Sequence, residues 1–156
     1  AGCGIALCVT LLIFGLFGWF FFQPALLVLV VIQLVGGIIY VSAIVITMIS
    51  IISLRLQGKP ESGFEDTTTL IERGIFRVVR HPLYLGLIFW SIGLILLIQS
   101  IPTIILGIVA IICLGLAAKK EDQYNIVKWG NSYSSYMGRV PMFNFIKGLK
   151  RLREKN

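Results

Sequence analysis

Two long stretches of this 156-residue chain, residues 1–54 and 82–118, contain no Asp, Glu, Lys or Arg. All 14 basic and all 7 acidic side chains are confined to segments 55–80 and 119–156. A chain that folds around a core in water is not built this way, because soluble domains spread roughly a quarter of charged residues over their surface. About 20 apolar residues at 1.5 Å per residue cross about 30 Å of hydrocarbon, so these uncharged runs predict membrane helices. Composition agrees, with 57% hydrophobic and 13% charged residues.

Four spans are expected, at about 5–22, 25–54, 83–100 and 102–118. Pro lacks a backbone N–H and suits a helix start, so Gln23-Pro24 punctuates the first boundary. The second run is too long for a perpendicular crossing; it must tilt, kink near Gly36-Gly37 or project from the bilayer. The last two spans share a short corner at residues 99–102 and must form an antiparallel hairpin. From Lys119 the chain turns polar, which predicts one helix to about Met137 and then a basic amphipathic tail. The expected fold is therefore an all-α integral membrane protein, one domain over residues 1–156 with four transmembrane helices.

Segments 55–82 and 119–156 carry five and nine basic residues, and four spans place both on one side. The positive-inside rule makes that side cytoplasmic, so both termini and any polar site are expected there. The net charge of +7 flanks apolar spans, which points to anionic lipid headgroups rather than nucleic acid. No charge falls in mid-span, which argues against an ion-coupled transporter. Cys3, Cys8 and Cys113 lie inside apolar runs and read as core filling, with no metal-binding or disulfide spacing. The chain begins with Ala, so a trimmed N-terminus is expected; its first apolar run has no positive n-region and reads as a retained span. Gly15 and Gly18 suit close helix contact.

Three polar groups carry the chemistry. Arg80-His81-Pro82-Leu83-Tyr84-Leu85-Gly86 stands at the entry to the third span, with Pro82 where a helix begins and its first free N–H groups at the cytosolic boundary. His81 and Tyr84, three apart, share a helical face. The plain alternative is an interfacial belt of Tyr and Arg. Glu121-Asp122 follows the fourth span, then Trp129-Gly130, Tyr133, Tyr136 and Arg139-Val140-Pro141. The acids are either a solvated helix face or a carboxylate set for a cation or ribose hydroxyls. Tyr133 and Tyr136 either pack or offer aromatic faces to a cation. The stretch from Asp66 to Phe76 is turn-capable and leads into Arg80; taken alone it is no more than a capped linker.

Together these residues resemble the membrane methyltransferase family of isoprenylcysteine carboxyl methyltransferase and its phospholipid-methylating relatives. The resemblance covers residues 64–150, and its elements stand in the family's order. They are T-L-x-x-x-G-x-[YF], R-H-P-x-Y-x-G, a membrane hairpin, an acidic pair, an aromatic-Gly, Y-x-x-Y and R-V-P, followed by Phe145-Ile146-Lys147-Gly148. The resemblance implies S-adenosylmethionine in a cytosol-facing pocket capped by the C-terminal helical segment. The implied cofactor contacts are Thr68, Thr69, Leu70, Ile71, Phe76, His81, Pro82, Leu83, Tyr84 and Glu121. His81, Glu121 and Arg139 are the implied catalytic residues, and a lipophilic or prenylated molecule is the implied acceptor.

The chain departs from the family in two places. Ala117 stands where carboxyl methyltransferases carry a substrate-reading Arg, leaving Lys119, Lys120 or Arg139 as candidate substitutes. Met142 stands where many relatives have Arg. An ionised carboxylate acceptor needs no general base, whereas a protonated aminophospholipid needs one, from Glu121 or His81. A nicotinamide-dependent reductase of the sterol type shares R-H-P-x-Y-x-G but usually has Asn at the position of Leu83. A four-span scaffold is the non-enzymatic alternative. Replacing Glu121 or His81 by Ala is expected to weaken cofactor binding with the fold intact.

Overall fold

A computed structural model describes residues 26–59 and 67–154, so the expected span at 5–22 lies outside the described residues, as do Cys3, Cys8, Gly15 and Gly18. The regular elements are α1 (Leu26–Gln57), a 3-10 turn (Gly74–Arg77), α2 (Pro82–Ile98), α3 (Ile101–Trp129), α4 (Asn131–Arg139) and α5 (Phe145–Arg153).

Two helices are long and apolar enough to cross a membrane: Val28–Gln57 within α1 and Ile101–Trp129, each with a most apolar window of mean hydropathy 2.6. Only 11% and 28% of those windows are buried, so neither behaves as the core helix of a soluble protein. Leu34, Ile38 and Val41 on α1 and Ile105, Ile112 and Leu116 on α3 are at least half exposed. An apolar surface this extensive demands an apolar solvent or a partner. Helix α2 is shorter than expected, at 17 residues, because Gln99 turns the chain into the left-handed region at φ 51°. Ser100 then caps α3, its hydroxyl accepting from the Thr103 N–H at 3.3 Å.

The described chain divides into two compact units: Gly86–Ala117 with the described part of Ala1–Val45, and Ile46–Leu85 with Ala118–Asn156. In the first unit, close approach of α1 and α2 depends on small residues. A Cβ at Gly93 would lie 3.0 Å from the Tyr40 backbone N and Cα, and one at Gly36 would lie 2.8 Å from Leu96 Cβ. Around these contacts Leu94 and Ala110 form a small core with Tyr40 and Trp90, whose rings meet edge-on at 5.0 Å. Gln33 on α1 donates to the Leu97 carbonyl on α2 at 3.3 Å.

The second unit holds most of the charge. Its largest difference from expectation is α3, which does not stop near residue 118 but runs unbroken to Trp129. The cause is local: Ala117 to Asp122 contains no breaker and several strong helix formers, so the helix crosses the change from apolar to polar sequence. It breaks at Gly130, whose φ of 55° and ψ of −129° suit glycine alone, and α4 restarts at Asn131. The expected single helix to Met137 is therefore two helices. Tyr133 and Tyr136 on α4 and Val140, the residue that ends it, are buried together and pack with Leu70, Trp129 and Met137. Helix α5 is capped by the Asn144 side chain and docks through Gly148, where an added Cβ would fall 2.1 Å from the Val78 carbonyl oxygen.

Candidate active site

The site grows from the start of α2 and the polar half of α3. Pro82 is the first residue of α2 and fully buried, and a proline disfavours helix at the residue before it, so His81 and Arg80 lie together just ahead of the helix. That piece is pinned through its backbone, with Arg80 N–H donating to the Pro141 carbonyl at 3.0 Å and His81 N–H to the Met142 carbonyl at 3.4 Å. R-H-P and R-V-P-M, far apart in sequence, are thus hydrogen-bonded neighbours.

Asp122 is the hub. His81 Nε2 lies 2.8 Å from its Oδ1, the Tyr133 hydroxyl donates to the same oxygen at 2.5 Å, and Arg80 Nη2 stands 3.3 Å from Oδ2. Asp122 is only 7% exposed and His81 4%. Because the ionised carboxylate can only accept, Nε2 carries the proton of this contact and Nδ1 is turned the other way, 3.9 Å from Glu121 Oε1. The ring is fixed further by the edge of Tyr84 at 5.6 Å between centroids.

Burial alone would raise the Asp122 carboxyl, but hydrogen bonds from His81 and Tyr133 and the nearby Arg80 charge outweigh it and hold the carboxyl below its usual 3.8. Burial, and for Tyr133 the hydrogen bond to Asp122, pushes both Tyr133 and Tyr136 upward, so both phenols stay protonated at neutral pH. Tyr136 donates to the Phe76 carbonyl at 2.6 Å. The two tyrosines are therefore fixed posts with committed hydroxyls, as well as cavity walls. A depressed carboxyl contributes stability above its unfolded value and loses it as pH falls through the folded one. The midpoint of thermal unfolding is accordingly expected to drop below about pH 4 more steeply in the natural chain than in Asp122→Asn, as followed by circular dichroism in detergent.

A cavity of about 60 Å³ opens among Leu70, Ile71, Phe76, His81 and Glu121, with Thr67, Arg80, Asn125 and Trp129 completing its walls beside the two tyrosines. Five of the residues expected to hold a cofactor therefore come together. Others do not. Thr68 and Thr69 are exposed and turn their hydroxyls away, Thr69 to the last carbonyl of α1 at Gln57 O, 2.7 Å, which needs a partner, and Thr68 to Lys59 O just beyond the helix at 2.9 Å. Pro82 and Tyr84 are buried beside the cavity rather than lining it, and Leu83 is half-buried. Arg139 is also placed elsewhere: it pairs with Glu72 at 2.9 Å and lines a separate, open groove of about 610 Å³ along α5.

The resemblance picks out Glu121 of the acidic pair, includes Arg80 and Trp129 in their motifs without giving them a contact, and does not point to Asn125. A signal was available: Ala118, Asp122 and Asn125 continue the buried stripe of α3 at helical spacing, with the half-buried Trp129 one turn on, and polarity disguised it. His81 is buried and lies 2.8 Å from the Asp122 carboxylate, so His81→Ala is expected to lower stability as well as ligand binding.

Two long, apolar, largely exposed helices mark an all-helical protein of membrane-associated type, and its second unit carries a small polar cavity. The family model described as phospholipid methyltransferase matches residues 31–131, well over half of the sequence, and the chain belongs to that family. It is similar to protein-S-isoprenylcysteine O-methyltransferase of Mus musculus, 33% identical over 92 residues covering 58% of this chain and 32% of the relative. The Homo sapiens protein of that name is 33% identical over 87 residues, covering 54% and 31%. Protein-S-isoprenylcysteine O-methyltransferase B of Arabidopsis thaliana is 30% identical over 78 residues, covering 49% and 40%. The match thus spans about a third of the length of these curated relatives. No solved structure matches the chain.

Proposed function

We propose that this chain transfers a methyl group from S-adenosylmethionine to a lipophilic acceptor at the cytoplasmic face of a membrane, as a carboxyl methyltransferase of the isoprenylcysteine type. The observation that carries the reading is the His81–Glu121 cavity, built within segments that fall largely inside the family match. Its residues fit such a donor in kind. Glu121, with its side chain 43% exposed, offers a carboxylate to a cationic centre, and Phe76 and Trp129 offer flat apolar walls. A volume of about 60 Å³ accepts one polar end of a ligand, with the remainder outside the enclosed part.

When bound, S-adenosylmethionine supplies an already activated methyl group, so the protein's task is alignment and exclusion of water, which positioning can make worth roughly 7–11 kcal/mol. The Asp122 hub holds His81 and Arg80 rigid, and Glu121 remains free to meet the ligand. A carboxylate acceptor is ionised at neutral pH and takes the methyl group without a base. The second reading, an aminophospholipid acceptor, rests on His81 Nδ1, which faces the cavity side with its partner nitrogen tied to Asp122 as a general base requires. The positive-inside rule supports a cytoplasmic orientation. Phe145, Ile146 and Leu149 are exposed beside Lys147 and Lys150 on α5, which suits contact with anionic headgroups.

The test is transfer of labelled methyl to a panel of prenylated thiols and aminophospholipids by the full chain in lipid nanodiscs. Base-labile label on the prenylcysteine carboxyl is expected; label on an aminolipid establishes the second reading, and no transfer to either class removes both.

A further inference from the structure

Arg80 is the least satisfied charged group in the cavity. Its side chain is 9% exposed, and among the described residues only Nη2 has a partner, the Asp122 carboxylate. Among the described residues, Nε and Nη1 are buried without a hydrogen-bond partner, although the residue lines the cavity with His81 and Glu121. Buried guanidinium N–H groups are costly to leave unpaired, so such a group is normally completed by an anion or water. The neighbouring acids do not complete it. Asp122 already serves three donors, and Glu121 faces His81 Nδ1. The cations considered as replacements for the Arg missing at Ala117 are elsewhere: Lys119 and Lys120 are exposed, and Arg139 pairs with Glu72 outside this cavity.

We infer that Arg80 is the carboxylate-binding group of this site, taking a carboxylate through the guanidinium donors that Asp122 leaves free. The inference rests on the methyltransferase reading and deepens it. The carboxylate belongs either to the amino-acid end of the donor or to the acceptor, and both have the same chemistry at Arg80. Asp122 sets the orientation of the guanidinium by holding Nη2, so the free donors stand in fixed positions before any ligand arrives.

The experiment is calorimetric titration of the full chain in nanodiscs with matched ligands. One pair is S-adenosylmethionine and its decarboxylated analogue; the other is N-acetyl-S-farnesylcysteine and its carboxamide. For one pair, loss of the carboxylate is expected to weaken binding to the natural chain about ten- to a hundred-fold, since hydrogen bonds to charged groups are the strong class. In Arg80→Lys and Arg80→Gln that difference shrinks, because the carboxylate form binds as weakly as its carboxylate-free partner. Which pair responds identifies the source of the carboxylate. If an Arg80 variant does not fold, the titrations of the natural chain still decide whether a carboxylate is recognised. Equal affinity within both pairs, or equal weakening of both members of a pair by Arg80→Lys, overturns the inference while leaving the methyltransferase reading in place. Failure of the natural chain to bind any of the four overturns both.

Discussion

Asp122→Ala is expected to lower stability by about 3–5 kcal/mol, the cost of removing one partner from a buried ionic cluster. The carboxylate serves His81, Tyr133 and Arg80 at once, and all three are at least nine-tenths buried. Without it a guanidinium, an imidazole and a phenol face one another in a site that water reaches poorly. Tyr133 then loses its hydrogen bond, and with it goes an anchor of the buried cluster of Tyr133, Tyr136 and Val140. Thermal or denaturant unfolding in a fixed detergent checks this, with Glu121→Gln as the control. That neighbouring acid is half exposed, and its change should stay within about 0.5 kcal/mol. Equal losses in the two variants would mean that Asp122 is not the hub.

Activity is expected to respond in the opposite order. Glu121→Ala should raise the donor concentration needed for half-maximal transfer about ten- to a hundred-fold, the range lost with one hydrogen bond or contact to a charged group. Melting should be nearly unchanged, because the side chain is 43% exposed and contacts His81 only at 3.9 Å. Initial rates at varied S-adenosylmethionine measure it, and an unchanged donor dependence would remove Glu121 from the site. His81→Ala mixes the two effects, since that ring both faces the cavity and bonds the hub. It is a poor probe of ligand binding for this reason.

The contrast between these adjacent acids shows where sequence reasoning reaches and where it stops. Uncharged runs, Pro82 and the corner at Gln99 are local signals, and the helix boundaries near 26, 57, 82 and 98–101 follow them closely. That Arg80-His81 and Glu121 share a cavity also follows from order and motif. Which acid of the pair turns inward is decided by the phase of α3 against α4, set by the break at Gly130 and by Tyr133 reaching back eleven residues. The spacing of Ala118, Asp122 and Asn125 carries the phase of α3, but the partners that the inward acid meets are not visible in the local pattern. Arg139 left the expected site because Glu72, 67 positions away, holds it, and the threonines left for carbonyls at and just beyond the end of α1. In each case a partner outside the local run sets where the side chain lies.

The central claim is that the charged segments following α1 and the apolar part of α3 form one binding site for the methyl donor. Photo-crosslinking of the full chain in nanodiscs with an azido-substituted S-adenosylmethionine analogue, read by peptide mass spectrometry, tests it most directly. Adducts within residues 67–84 and 118–142, suppressed by excess unlabelled donor, are the expected result. Competable adducts confined to other parts of the chain, or no competable adduct at all, would contradict it.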